Sequence, residues 1–276
     1  MKLELKNIFF LFSLVLFSSW SHANLLFTPN RVAIDDRERY ATLSMINNSD
    51  KTMSYEIAIE DKLAKPAGGY AVVENYQYSA KKILRVSPRR VVLAPNGKQT
   101  VKILARRPKD LAEGEYRSHL KLTPIIEDEK VASEKGQTTS VAVRLSFSLP
   151  VIVKKGKTKV NLDLNDVKIH PTKGQAHGAT IVLGVLREGN FGSTGNVIAN
   201  FTPNGSTAEK VIAQRHGYNI FREVDNAQIY LNWPEYQADS GVLEIQYQGQ
   251  KEFKDQLLFA KKYNVVDGKI SAPLPY

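Results

Sequence analysis

The 276-residue sequence contains no cysteine, so disulfide bonds and thiolate-bound metal ions are excluded. It has five histidines, and none stands at a metal-binding spacing from an acidic residue or another histidine. A Gly-x-Ser-x-Gly elbow and a glycine-rich phosphate loop are also missing from the sequence. We therefore expect no catalytic residues, no metal ion and no cofactor, and we expect that the protein is not an enzyme.

Clusters of one charge are scarce, although the net charge is +10, from 38 Lys and Arg against 28 Asp and Glu. The cations stand singly or in short pairs, such as Arg89–Arg90, with acidic residues between them. A nucleic-acid-binding surface usually concentrates its cations on one face or along one helix. The pattern therefore predicts no nucleic-acid partner.

No apolar run reaches the ~20 residues that a membrane-spanning helix needs. The longest run, residues 8–17, follows a start that contains Lys2 and Lys6 and precedes small residues at Ser21 and Ala23. This arrangement predicts a secretory signal peptide over residues 1–23, cleaved after Ala23. We expect an exported mature chain without membrane insertion.

From residue 24 onward, apolar and polar residues alternate in short runs that are bounded by turn residues, as in half-buried strands. The clearest predicted hairpin joins Arg90–Leu93 to residues 99–104 through Ala94-Pro95-Asn96-Gly97, because Pro and Gly suit successive turn positions. Many short strands with little helical periodicity predict an all-β, sandwich-type architecture.

The predicted domain boundary follows a long alternating strand, Val141–Leu149, that Pro150 is expected to stop. A polar stretch, residues 127–137, precedes this strand and is predicted to be a loop. A basic, glycine-containing link, Lys154–Lys157, follows it. We therefore expect one domain over residues 24–153 and a second over residues 159–276.

Several segments share motifs with one protein family: Leu26–Val32, Val86–Arg90, Leu93–Pro95, Ala105–Leu120, Ser148–Val153 and Arg187–Ser193. Together they resemble the periplasmic chaperones of the chaperone/usher pilus pathway, and more specifically the archaic branch. The most specific motif is Arg-x-Pro-x-Asp-Leu-x-x-Gly-Glu-Tyr-Arg-Ser-His-Leu, which ends at Leu120. The resemblance covers essentially the whole mature chain. It implies two immunoglobulin-like β-sandwich domains set at an angle, with a cleft between them.

The function implied by this resemblance is to bind fimbrial (pilin) subunits in the periplasm and deliver them to an outer-membrane usher. The chaperone would complete the subunit's unfinished sandwich by donor-strand complementation, without ATP or a cofactor. The sequence leaves the free state open between self-association, which would hide the donor strand, and a monomer.

Family donor residues lie in the first half of the last strand of domain one. The candidates here are Val141, Val143 and Leu145, with Val131 in the preceding loop. Alternating apolar residues equally fit the inner face of the sandwich, which is the role we expect for Phe147 and Leu149. For Val141 and Val143 both interpretations stay open.

The resemblance also implies two cations that hold the subunit's C-terminal carboxylate, an Arg on the first strand and a Lys on the last strand of domain one. Arg31 occupies the first position. Counting back from Pro150 puts Leu145 where the Lys would stand. The candidate second cations are therefore Arg144, brought in by a bulge, and Arg117.

The alternative function is a secreted β-sandwich binding module, adhesive or carbohydrate-binding. Such a module should gather aromatic residues on one exposed face, and the local cluster is Tyr70, Tyr76 and Tyr78. A pilin subunit is a third possibility, but it would need an alternating N-terminal extension longer than residues 24–31.

Overall fold

The computed structural model describes residues 25–125, 145–174 and 177–275. These residues form eighteen β-strands and one short 3₁₀ turn, with no α-helix in the described ranges. The all-β prediction is confirmed. Within the same ranges there is no helix with the length and apolar character of a membrane span. The predicted signal peptide, residues 1–23, lies outside the described residues.

Strands β1 to β10 form the first β-sandwich. One sheet has the order β1-β3-β8-β6, with β1 (Leu25–Thr28), β3 (Tyr40–Asn47), β8 (Lys98–Ala105) and β6 (Leu84–Ser87). The facing sheet has the order β2-β10-β9-β4-β5, with β2 (Val32–Ile34), β10 (Phe147–Lys155), β9 (Gly114–Ile125), β4 (Met53–Ala64) and β5 (Tyr70–Val73), and β7 (Arg90–Leu93) also pairs with β4. Alternate apolar residues such as Leu43, Val101, Leu120 and Val151 are fully buried in the core between the sheets.

Strands β11 to β18 form the second β-sandwich, so the predicted pair of sandwiches is confirmed. Its small sheet contains β11 (Asn161–Pro171), β12 (Ala179–Glu188) and β15 (Asn226–Trp233). Its larger sheet has the order β14-β13-β16-β17-β18, with β14 (Lys210–Ile220), β13 (Ser193–Pro203), β16 (Gly241–Gly249), β17 (Leu257–Val266) and β18 (Lys269–Leu274). The chain crosses from the first sandwich to the second between Lys155 and Asn161.

The predicted hairpin at Ala94–Gly97 is wrong in its pairing. The turn forms, because the Gly97 N–H donates to the Ala94 carbonyl at 2.8 Å. However, β7 pairs with β4 in one sheet and β8 pairs with β3 and β6 in the other. The turn therefore links the two layers of the sandwich, so that Leu93 and Val101 approach one core from opposite sides.

Pro150 does not stop the last strand of the first domain, since β10 runs through it to Lys155. Proline lacks an N–H donor and is tolerated where a strand edge needs none. β10 pairs with β9 along its whole length, whereas β2 pairs only with residues 151–153. Lys154, predicted to begin the basic link between the domains, is consequently the penultimate residue of a central strand.

A groove of about 280 Å³ lies between the two sandwiches. The β4–β5 hairpin lines one side and residues 215–221 line the other. The hairpin also touches the second domain directly, because the Gln228 N–H donates to the Pro66 carbonyl at 2.8 Å.

Candidate functional site

One face of the β9–β10 pair carries buried charged residues toward the second domain. Glu115, Arg117 and His119 alternate along β9 and therefore share a face. On β10, Ile152 stands opposite Arg117, and Lys154 stands opposite Glu115. Ile152 belongs to the hydrophobic core of the second domain, which shows that this face is covered by that domain at its centre.

Arg31 and Lys154 meet at one end of this face. β2 runs parallel to β10 with Val32 opposite Val151, so the backbone of Arg31, just before β2, lies level with Pro150, and its long side chain reaches the same carboxylate as Lys154. Both cations donate to Glu252 of the second domain. Arg31 Nη2 and Lys154 Nζ each lie 2.9 Å from Glu252 Oε1, and Arg31 Nη1 lies 3.4 Å from Oε2. Lys154 Nζ is also 3.4 Å from a carboxylate oxygen of Asp35.

This cation pair is shielded from solvent. The side chains of Arg31, Lys154 and Glu252 are 8%, 1% and 12% exposed. Burial by itself raises the pKa of Glu252, but the two cations outweigh it and hold that pKa at about 2. Arg31 Nε is buried without a partner among the described residues. The site is thus a desolvated pair of cations suited to a carboxylate, and one donor of the guanidinium is unused.

A rigid turn presents Glu252 to the cations. The 3₁₀ turn Lys251–Phe253 joins β16 to β17, and Phe253 is buried in the second domain. Backbone hydrogen bonds fix the turn at both ends, since the Gln250 N–H donates to Thr194 and the Gln256 N–H donates to Phe253. The position of the Glu252 backbone is therefore set by the second domain, and the cations of the first domain hold its carboxylate.

Arg117 lies in a separate buried cluster. It forms an ion pair with Glu223 of the second domain, and its guanidinium lies 3.8 Å from the centre of the Phe221 ring. Its Nη2 also donates to the Lys62 carbonyl at 2.8 Å. Glu223 accepts two further hydrogen bonds, from the Tyr76 hydroxyl and the Ala64 N–H. Arg117 is 1% exposed, so it is built into the domain junction.

Glu115 lies between these two clusters and is also buried. Burial raises its pKa, against the opposing effect of Arg31 and of the Gly192 N–H, which donates to the carboxylate at 3.2 Å. Arg222 of the second domain donates to the Glu115 backbone carbonyl. Polar contacts in both clusters and at Glu115 therefore join the two domains along β9 and β10.

The second-domain motif Arg187–Ser193 shapes the surface that these contacts use. The Arg187 guanidinium donates to the carbonyls of Gly189, Phe191, Arg222 and Val224, which ties two loops together. A Cβ at Gly192 would lie 2.7 Å from a backbone oxygen and 3.1 Å from Glu115 Oε1, so only glycine allows this approach.

His119 is the last of the three polar residues that share this face of β9. Both of its ring nitrogens are buried without a hydrogen-bond partner in the described part of the chain. Burial, together with the nearby Arg117 and Lys62, lowers its pKa to about 3. The ring packs edge-on against Tyr70, with centroids 5.0 Å apart. His119 is therefore neutral at physiological pH and serves as a packing residue.

The N-terminal part of β10 has an open edge and leaves the core. Residues 147–150 pair with β9 on one side, and no other described strand pairs with them. Along the core-facing side, Leu149 is 1% exposed, Phe147 is half-buried against Phe27, and Leu145 is 72% exposed. The core-facing row of the sandwich thus leads to an exposed apolar side chain, Leu145, just before β10.

The predicted site residues are distributed over different parts of the molecule. Arg31 lies in the Glu252 site and Arg117 lies in the junction with Glu223. Leu145 lies exposed before β10, whereas Arg144, Val131, Val141 and Val143 lie outside the described residues. The anchor and donor roles of all these residues stay predictions. Lys154 was missed, although a cation that follows the apolar run Val151–Val153 at the end of a strand was a usable signal.

The tyrosine cluster does not form an open aromatic platform. Tyr76 is buried, and its hydroxyl donates to Glu223 at the domain junction. Tyr78 lies under the Arg222 guanidinium, 3.9 Å from its ring centre. Tyr70 packs against His119 and Phe221. In the described ranges, no group of three or more His, Asp or Glu residues could hold a metal ion.

No family model and no curated protein sequence matches the chain. Solved structures do resemble it, and those named here are chaperones or complexes that contain a chaperone. The class 5 fimbriae chaperone CfaA is 13% identical, with 88% of this chain and 99% of that chain covered and a TM-score of 0.48. The Pseudomonas aeruginosa CupB2 chaperone is 11% identical, with 87% and 99% covered and a TM-score of 0.46.

A further similar structure is a chain of the CsuC–CsuE chaperone–tip subunit complex, from the archaic chaperone-usher Csu pili of Acinetobacter baumannii. It is 11% identical, with 87% of this chain and 98% of that chain covered and a TM-score of 0.46.

Proposed function

We propose that this protein is a periplasmic chaperone that binds newly exported fimbrial subunits, completes their sandwich with its own strand and delivers them to an outer-membrane usher. The observation that carries the proposal is the open edge of β10, which has the exposed apolar side chain of Leu145 just before one end and a buried cation pair near the other. The proposed action needs no chemical step, so it is not enzymatic.

The open edge supports strand addition. A free edge offers unpaired backbone N–H and C=O groups to an incoming strand. Added strands gain affinity from main-chain hydrogen bonds and specificity from alternate side chains. At residues 147–150, β10 offers such an edge in the described part of the molecule.

The apolar face supports a donor role for the segment before β10. Leu149, Val151 and Val153 are buried in the first domain, whereas Leu145 on the same side is exposed. In the sequence, Val143 and Val141 continue the same alternation. We propose that Leu145, Val143 and Val141 fill the subunit's groove, because the described member of this row, Leu145, is an exposed apolar residue next to the open edge.

The cation pair supports an anchor for the subunit's C-terminal carboxylate. Arg31 and Lys154 already hold a carboxylate oxygen at 2.9 Å, and both are almost fully buried. Lys154 is nine residues from Leu145, or about 30 Å along an extended strand. A carboxylate fixed at Lys154 would set the register of the added strand against the donor residues. Arg117 is a weaker choice because it meets its carboxylate, Glu223, as a single cation, whereas Arg31 and Lys154 converge on one carboxylate.

The test is a periplasmic co-purification from the protein's own cell of the wild type, Lys154→Met and the neighbouring control Lys155→Met. Lys155 contacts the carbonyls of Pro108 and Lys109 and takes no part in the cation pair. We expect the wild type and the control to recover a small β-rich secreted protein in a one-to-one ratio. Lys154→Met should recover about tenfold less, because it loses a charge-assisted hydrogen bond.

Equal recovery by Lys154→Met and the wild type would overturn the anchor. If none of the three proteins recovers a secreted protein, the chaperone function itself is wrong. The secreted binding module would then be the function to test, with a glycan array.

A further inference from the structure

We propose that Glu252 is a built-in competitor for the carboxylate anchor, so that an incoming terminal carboxylate must displace it from Arg31 and Lys154. This inference rests on the proposed function, because it concerns the same cation pair. It adds a regulatory contact between the second domain and the binding site of the first.

The geometry makes the two carboxylates mutually exclusive. Glu252 Oε1 accepts from both cations, and Oε2 takes the remaining terminal nitrogen of Arg31. A second carboxylate on the same donors would stand against Glu252 in a desolvated site, where like charges repel strongly. Exchange of one carboxylate for the other keeps the charge of the site unchanged, whereas addition does not.

Glu252 can leave without unfolding the turn that carries it. Buried Phe253 and the backbone hydrogen bonds of the turn hold residues 251–253 in the second domain. Glu252 contacts the first domain through its side-chain carboxylate, which pairs with Arg31 and Lys154. Its side chain is 12% exposed, so the site is not fully closed to solvent.

The site also has hydrogen-bonding capacity that Glu252 does not use. Arg31 Nε is buried without a described partner, and a guanidinium has five N–H donors in a fixed plane. A free carboxylate is not tied to a turn and can choose the orientation that uses this donor. The free ligand therefore gains a contact that compensates for the entropy of its capture.

Competition also protects the free chaperone. Without Glu252, the site would keep two cations that are 8% and 1% exposed, with Asp35 at 3.4 Å from Lys154 and the buried Glu115 opposite Lys154 as the acids that face them. Uncompensated buried charge is strongly destabilising. Glu252 neutralises the site until a subunit arrives. A carboxylate that binds too weakly to displace Glu252 is therefore a poor ligand.

The test compares acetate with its uncharged analogue acetamide on the full chain, at constant ionic strength balanced with chloride. We measure the melting temperature of the wild type, of Glu252→Gln and of the control Glu235→Gln. Glu235 pairs with Lys210 on the open surface of the second domain. A ligand that binds the folded state raises the melting temperature in proportion to its occupancy.

We expect acetate to stabilise Glu252→Gln at a concentration about tenfold lower than it needs for the wild type or the control, a coupling in the range usual for linked sites. Acetamide should have no such effect. The double variant Glu252→Gln/Lys154→Met should lose the response to acetate. If Glu252→Gln does not fold in chloride, recovery of folded protein in acetate against acetamide gives the same comparison.

An acetate response of Glu252→Gln equal to that of the wild type would overturn the inference. That failure is separable from failure of the proposed function. If Lys154→Met loses subunit capture while Glu252→Gln is insensitive to acetate, the anchor stands and Glu252 is only a link between the domains. If Glu252→Gln responds while Lys154→Met captures normally, the carboxylate site is real but is not the subunit's anchor.

Discussion

Replacing Arg117 with alanine should destabilise the fold, because Arg117 holds the domain junction together. The substitution removes the ion pair with Glu223, the hydrogen bond to the Lys62 carbonyl and the stacking on Phe221. It leaves the Glu223 side chain, 6% exposed, with the Tyr76 hydroxyl and a backbone N–H as its remaining partners. Removing one member of a buried ion pair costs about 3–5 kcal/mol.

For a chain of this size, each kcal/mol shifts the melting temperature by about 2–4 °C, so Arg117→Ala should melt roughly 10 °C lower than the wild type. Arg117→Met combined with Glu223→Gln removes both charges and keeps the volume, and it should recover most of this loss. Arg89→Ala, at an exposed arginine, is the matched control and should change the free energy of unfolding by less than about 0.5 kcal/mol.

Thermal unfolding followed by circular dichroism measures all of these variants. The reasoning is refuted if Arg117→Ala melts within about 2 °C of the control, or if the double variant is no more stable than the single one. A folded Arg117→Ala protein that loses subunit capture would return the anchor role to Arg117.

Two further predictions concern ionisation. Because its pKa is depressed, ionised Glu252 contributes stability that is complete above its ordinary pKa of about 4.5 and is lost as the pH falls toward 2. The urea unfolding midpoint should therefore drop over this pH window in the wild type but not in Glu252→Gln. His119→Phe should keep the free energy of unfolding within about 1 kcal/mol, because the imidazole is neutral and makes no described hydrogen bond; a loss as large as that of Arg117→Ala would contradict this.

The strand pattern of the fold could be predicted from local sequence. Tyr40–Ile46 alternates because β3 buries one face and exposes the other, and this signal needs no knowledge of its neighbours. The turn at Ala94–Gly97 could also be predicted from its residues, but turn residues do not determine whether the next strand pairs with the previous one. Here it enters the opposite sheet, which depends on contacts with β3 and β6.

The candidate site was only half predictable. Arg31 was identified from a motif, whereas Lys154 beside Lys155 and Gly156 has the local composition of a surface link. Its burial depends on Glu252, 98 residues away in the chain. The burial of Arg117 likewise depends on Glu223, 106 residues away. Contacts between domains leave no periodic signal in the sequence, so the structure was needed to find them.

The most direct test of the chaperone function is hydrogen exchange of the chain, free and in complex with the secreted protein that it recovers. The account predicts new amide protection at residues 147–149 and in the preceding residues 141–146, because these would pair with the subunit's strand. The outer edge at β18 should be unchanged, since it has β17 as a neighbour and no proposed partner. Protection at β18 without protection at residues 141–149 would contradict the account.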